Sequence, residues 1–245
     1  MASQQRKNKY QEQNVRLPII GAMSNRDVSG AKDQRFVNMF PETRKVEAIE
    51  STRIFLNKRP GLTLYKDFGD GYGRGIAWFN NKLYVAINGT IYEDGVTPTA
   101  KITLTSVDSK VGMIVANSST IGDYLFICDG TSGWVINSAG VVTQITDPDF
   151  PSPHVPVPSW IDGYLLLAKG SDVYNCTLDE PTSWDSGQYL SAEMFPDPIV
   201  ALARQNNQLV VFGETSVEFF YDAANISGSP LNRNDSTTLQ LGCAM

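Results

Sequence analysis

From Ile76 onward, apolar and polar residues alternate with a period of two, and Asn-Gly, Asp-Gly and Gly-Asp pairs cut the alternation at short intervals. This is the pattern of half-buried strands joined by tight turns. Asn80-Asn81 precedes Lys82-Leu83-Tyr84-Val85-Ala86-Ile87, and Asn88-Gly89 then turns the chain into Thr90-Ile91-Tyr92. Asn-Gly supplies the positive φ values of a type I′ turn, so a hairpin is predicted there. The hairpin recurs around Tyr124–Cys128, Tyr164–Leu167 and Leu209–Phe212, each followed by a turn and a second apolar stretch. Aligned on Leu83, Leu125, Leu165 and Leu209, the steps are 42, 40 and 44 residues.

Each unit also opens with an earlier strand, at residues 75–79, 113–116, 158–161 and 199–202. Repeats of about 40–45 residues with several short strands are the mark of β-propeller blades. The physical reason is that one blade cannot bury both faces of its sheet, whereas stacked blades can. A β-sandwich explains the strand density but not the equal steps. The expected fold is therefore an all-β propeller with four readable units near residues 75–100, 113–137, 158–178 and 199–222. A further strand is expected at 236–243, with ring closure incomplete. Trp78, Tyr84, Leu125, Trp134, Leu165, Tyr174, Leu209 and Phe219 are the predicted blade core.

Charge divides the chain differently. Residues 1–60 hold 12 Lys/Arg against 6 Asp/Glu, a net of +6, while residues 61–245 hold 8 against 20, a net of −12. The expected organisation is a basic, partly extended arm over 1–35 and a propeller domain over 36–245. Arg6, Lys7, Lys9 and Arg16 are the candidate interface residues, suited to an acidic protein surface or nucleic acid. An acidic body argues against a protein that coats nucleic acid. No apolar run approaches the roughly 18 residues of a spanning helix, and the polar N-terminus shows no secretory h-region. A soluble protein made in a reducing compartment is expected, with no membrane insertion.

Two stretches carry a family resemblance. One is Gln34-Arg35-Phe36-Val37-Asn38-Met39-Phe40-Pro41-Glu42, followed by Lys58-Arg59-Pro60-Gly61-Leu62 and Gly73-Arg74-Gly75-Ile76. The other runs from Asp179-Glu180-Pro181-Thr182-Ser183-Trp184-Asp185 through Ser191-Ala192-Glu193, Pro196-Asp197 and Leu209–Glu218 to Leu241-Gly242-Cys243. In order and spacing they resemble the packaged-DNA stabilisation proteins, the tail hub or nozzle, of short-tailed phages. The resemblance implies a virion protein assembled in the host cytoplasm. It implies a propeller core and six copies in a ring below the head-to-tail adaptor. Tail fibres or spikes would dock outside, distal needle or nozzle parts below, and DNA would pass through without sequence-specific binding. Members of the family are usually much longer than this chain.

Catalytic chemistry finds little support. The one histidine, His154, lies among Pro151, Pro153, Pro156 and Pro158, which reads as an exposed linker. Cys128, Cys176 and Cys243 form no CxxC pair, so neither a zinc ribbon nor a disulfide framework is expected. The glycines from Gly69 to Gly75 precede a strand rather than a helix, unlike a phosphate-cradling loop. The alternative function is a carbohydrate-binding or carbohydrate-cleaving propeller. It would need paired carboxylates, for which Asp123, Asp129, Asp162, Asp172 and Asp185 are candidates. Asp129-Gly130-Thr131-Ser132-Gly133-Trp134 faintly resembles a sialidase Asp-box, but it does not recur. Asp147-Pro148-Asp149 or Asp70 offers oxygen for calcium, without a twelve-residue EF-hand loop. The expectation is no enzyme, no cofactor, no metal and no catalytic residue.

Overall fold

The computed structural model describes residues 39–46, 51–192, 194–195 and 197–243, with 40–46 and 51–56 described as backbone only. Two compact units divide between Tyr65 and Lys66. In the first, β1 (Met39–Val46) and β2 (Ser51–Lys58) form an antiparallel hairpin in register from Met39↔Lys58 to Val46↔Ser51. The expected arm over 1–35 lies outside the described residues.

The second unit is four antiparallel four-stranded sheets, each a meander. The first sheet holds β3 (Gly73–Phe79), β4 (Lys82–Ile87), β5 (Thr90–Glu93) and β6 (Thr99–Thr103). The second holds β7 (Gly112–Ser118), β8 (Gly122–Cys128), β9 (Gly133–Asn137) and β10 (Val142–Gln144). The third holds β11 (Val155–Ile161), β12 (Tyr164–Lys169), β13 (Asp172–Thr177) and β14 (Glu180–Ser191). The fourth holds β15 (Ile199–Gln205), β16 (Gln208–Gly213), β17 (Val217–Asp222) and β18 (Leu231–Arg233). No helix occurs among the described residues. The leading strands β3, β7, β11 and β15 lie side by side, so the sheets are propeller blades stacked as an open arc. Two-residue turns set the register. Asn80 and Asn81 (φ 47° and 59°) join β3 to β4, and Asp162 with Gly163 (φ 45° and 88°) join β11 to β12. Both pairs have the double positive φ of a type I′ turn.

Burial follows the repeat. Tyr84, Ala86 and Ile91 of the first sheet pack on Leu125, Ile127, Trp134 and Ile136 of the second. Tyr124, Phe126 and Cys128 on the second sheet's other face pack on Leu165, Leu167, Cys176 and Trp184 of the third. Leu166, Ala168 and Val173 of the third pack on Leu202, Leu209, Val211 and Phe220 of the fourth. At each of these three interfaces a donating face of one sheet meets a receiving face of the next, which carries the periodic leucine. At about 1.5–3 kcal/mol for each large apolar side chain taken from water, these three interfaces dominate the stability of the unit. Close approach at the axis is also specified. A Cβ on Gly112 would sit 2.5 Å from Pro158 Cδ and 2.6 Å from the Pro156 carbonyl oxygen.

Several expectations need correction. Tyr84, Leu125, Trp134, Leu165 and Leu209 are buried as expected, and Tyr174 packs partly buried against the core between the second and third sheets. Trp78, however, is 57% exposed, and its neighbour Phe79 is buried instead. In β17 the buried aromatic is Phe220, with Phe219 half-buried on the opposite face. The expected strand at 236–243 is not a strand. It makes a single antiparallel bridge, Val217↔Leu239, and a Cys243 N–H bond to the Gly213 carbonyl. His154 is no exposed linker but 7% exposed, because the Pro-rich stretch after it is the leading strand β11. That strand tolerates Pro156 and Pro158 where its pairing with β12 is interrupted between Val155 and Ser159.

Candidate assembly surfaces

Several charged groups of the blade unit hold its sheets and turns in place. Asp129, in the turn after β8, is buried and accepts four backbone N–H bonds. Oδ2 takes those of Thr105 (2.6 Å) and Ser106 (2.9 Å), in the connection between the first and second sheets. Oδ1 takes those of Thr131 (3.0 Å) and Ser132 (2.8 Å). On the same connection, the Arg74 guanidinium donates to the carbonyls of Ser109 (2.5 Å), Ser106 (2.5 Å) and Asn88 (2.6 Å). Asp147 accepts from Asp149 N–H and from Trp184 N–H (3.0 Å), which ties the chain after β10 to β14. Asp197 accepts from the Thr215 N–H (2.7 Å) and hydroxyl and from Ser216 Oγ (2.9 Å), clamping the β16–β17 turn.

Ion pairs complete the set. Glu218, 1% exposed, lies 2.8 Å from Arg233 Nε and accepts the Met194 N–H at 3.1 Å, while Arg233 donates to the Ser191 carbonyl. Burial pushes the Glu218 carboxyl up, against the pull of Arg233. Glu93 meets Lys82 (2.6 Å), Lys101 (3.2 Å) and the Tyr84 hydroxyl (3.0 Å). Burial pushes its carboxyl up, but these donors outweigh it and hold the group below the usual carboxylate range. The sequence suggests local backbone capping for an aspartate at a turn such as Asp129, but not the bonds of Asp129 to the preceding connection or the ion pairs of Glu93 and Glu218, which join residues distant in the chain.

His154 is another buried polar group. Its Nδ1 lies 2.7 Å from the Pro151 carbonyl, which only accepts, so Nδ1 carries the proton. Its N–H bonds the Gly130 carbonyl at 2.8 Å, and its ring meets Phe150 edge to face at 5.3 Å. Burial lowers its affinity for a second proton, opposed by the Pro151 bond and the Asp129 charge. Cys128 and Cys176 are fully buried, and burial pushes both thiols up, that of Cys176 to about 12.

The carboxylates weighed for catalysis serve their own turns. Asp123 accepts from Asn117, Asp172 from Ser191 and Asp185 from the Gly187 N–H, while Asp162 is a turn residue. A cleft of about 290 Å³ between the second and third sheets includes Asp179 and Glu180. These two are consecutive on one turn, not opposed across a bond as glycoside cleavage needs. Among the described residues, no group of three or more His, Cys, Asp or Glu converges on a metal-sized point. Arg6, Lys7, Lys9 and Arg16 lie outside the described residues.

The surfaces left over are the two ends of the arc. Ile76↔Val85↔Tyr92 and Trp78↔Leu83 put the receiving face of the first sheet outward, with Ile76 67% exposed. Ala203↔Val210↔Phe219 and Gln205↔Gln208↔Tyr221 put the donating face of the fourth outward. Tyr221 and Ala203 are exposed there, and the bridged Leu239 covers the Val217 end. Neither set contains a charged side chain.

A family model described as bacteriophage P22 Gp10, β-propeller, matches residues 15–245. Among solved structures, BBS1N in complex with ARL6DN is similar at 16% identity and a TM-score of 0.52, over 83% of this chain and 66% of that one. Virginiamycin B lyase from Staphylococcus aureus is similar at 14% identity and a TM-score of 0.43, over 66% of this chain and 54% of that one. The chain thus spans about two thirds of the first and about half of the second. At such identity the first likeness is one of fold alone, and the second is too distant to add to it. No curated protein matches the sequence.

Proposed function

The chain belongs to the family of bacteriophage P22 Gp10 β-propellers, and on that premise we propose that it is a non-enzymatic hub or nozzle subunit of a short-tailed phage tail. The match over residues 15–245 carries this reading. In it, six copies form a ring below the head-to-tail adaptor, stabilise packaged DNA, and conduct it at ejection. Fibres or spikes dock outside and distal needle or nozzle parts below. The way polar groups are used supports the reading. Asp129, Asp147, Asp197, Glu93 and Glu218 are engaged in holding sheets and turns, as suits a part that bears load rather than one that turns over substrate. Arg6, Lys7, Lys9 and Arg16 are proposed to meet an acidic surface of the adaptor.

The test is reconstitution on filled, adaptor-bearing heads that lack the protein. Adding the full chain should protect the packaged genome from added nuclease, and deleting residues 1–13 should weaken docking. Heads that lose DNA equally with and without the chain would sink the proposal.

A further inference from the structure

We infer that the cleft between the second and third sheets docks a basic side chain, lysine or arginine, presented by a partner protein. Both walls belong to sheets stacked on each other through Phe126, Leu165 and Trp184. Val135 of β9 and Pro181 of β14 are buried at the cleft, while Ile121 and Val141 are exposed beside them. Asp179 and Glu180, where the chain enters β14, are the only charged residues that line it. Asp179 is fixed from three directions. Its N–H bonds the Gly163 carbonyl at 3.1 Å, its carbonyl accepts from Ser118 Oγ, and its carboxylate accepts from Ser119 Oγ. Ser118 ends β7, so this acid is held where the two sheets meet. Glu180 is exposed, and its carboxylate takes no hydrogen bond or ion pair among the described residues.

An apolar floor beside two carboxylates matches the two halves of a long basic side chain. Its methylene stem packs on Val135, Ile121 and Val141, and its cationic head meets the Glu180 carboxylate with the Asp179 charge next to it. The volume of about 290 Å³ lies at the lower end of small-molecule sites, which run from about 300 to 1,000 Å³, so it suits one side chain. Other ligand classes fit less well. A phosphate or a nucleic acid would face two negative charges and no cation. A sugar would find no aromatic ring to stack on. A metal ion would lack a third ligand, since no cluster of three metal-ligating side chains occurs among the described residues. Charge complementarity therefore selects a cation, and the apolar floor selects one carried on a stem. This inference rests on the cleft and not on the tail reading, so its failure leaves that reading standing.

Methyl NMR of the full chain tests it, because Val135, Val141 and Ile121 report on the cleft directly. The probes are end-blocked pentapeptides of glycine and serine with arginine, lysine, norleucine or glutamate at the centre. The arginine or lysine peptide should shift these methyl signals saturably, with a dissociation constant of about 1 mM. Binding should weaken at about 1 M salt, where the screening length falls to about 3 Å. Glu180→Gln should weaken it by up to about 5-fold, as for loss of an exposed ion pair, and Glu180→Lys should abolish it. Glu180 is exposed, so both variants should keep the wild-type melting temperature. No saturable shift with either basic peptide overturns the inference. So does norleucine or glutamate peptide binding as tight as that of the basic peptides, or basic-peptide binding unchanged in Glu180→Lys.

Discussion

A proton added to His154 must enter a site made of Phe150, the Pro151 carbonyl and the turn carrying Gly130, where burial holds the imidazole neutral. The folded-state affinity for that proton is lowered, so the stabilising contribution is complete above the ordinary imidazole value of about 6.5. It declines as pH falls through that value toward the folded one, by up to about 1.4 kcal/mol per pH unit. Glu218 works in the opposite sense, since its raised affinity favours the folded state as pH falls. His154 is the sole histidine, so the effect is assignable. Urea midpoints should drop between pH 7.5 and pH 5.5 in the wild type and much less in His154→Gln; equal drops would remove His154 from the account. At Glu218 the larger effect comes from its partner. Arg233→Met leaves a buried carboxylate with only the Met194 N–H and should cost about 3–5 kcal/mol at neutral pH. Recovery of part of that loss near pH 4, read by thermal unfolding, would confirm that the stranded charge is its source. Equal loss at both pH values would point to lost packing instead.

Between strands, the informative features are those that fix one sheet against another. Asp129→Ala removes four backbone bonds at once, two of them on the connection from the first sheet. Hydrogen bonds to a charged group are worth about 1.5–3 kcal/mol net. A loss of at least about 2 kcal/mol is expected, with faster amide exchange at Thr105, Ser106, Thr131 and Ser132 before any change in the fourth sheet. Uniform acceleration would refute this local role. Gly112→Ala should cost about 1–3 kcal/mol by overpacking β7 against Pro156 and Pro158, seen as a lower melting temperature. The same scale explains what the sequence could tell. The second strands β4, β8, β12 and β16 are the most apolar of each sheet and stand inside it, so the leucine period marked them. The outermost strands did not announce themselves. Val142–Gln144 has three residues, and Glu180–Ser191 runs through two register shifts with mostly polar positions. Edge strands bury little and so alternate weakly. Trp78 is not the core residue its place in the repeat predicts, because alternation says which face a side chain takes and not whether a neighbour covers it. His154 failed for a related reason, because a proline-rich stretch looks like a linker until an irregular leading strand is seen to hold it.

For the whole molecule, the charge split acquires a structural meaning that bears on DNA. The blade unit has few cations, and most are engaged within it. Lys82 and Lys101 meet Glu93, Arg233 meets Glu218, Arg74 holds three carbonyls, Arg204 lies over Trp160, and Lys66 donates to Gly95. A cation committed in this way releases no counterion from a duplex, so it adds nothing to binding or to its salt dependence. A body with net charge −12 over residues 61–245 repels phosphate. Any affinity of the full chain for duplex DNA at low salt should then come from its basic N-terminal residues. Arg6, Lys7 and Lys9 all fall within residues 1–13, and each phosphate they neutralise contributes about 0.9 to the slope of log affinity against log salt. Deleting residues 1–13 should therefore lower that slope by up to about 2.7, while Arg74→Gln or Lys101→Gln leaves it unchanged. Fluorescence anisotropy with a short labelled duplex reads both. A slope that survives the deletion and falls with the blade substitutions would mean that the propeller grips DNA, and a passive conduit would no longer describe it.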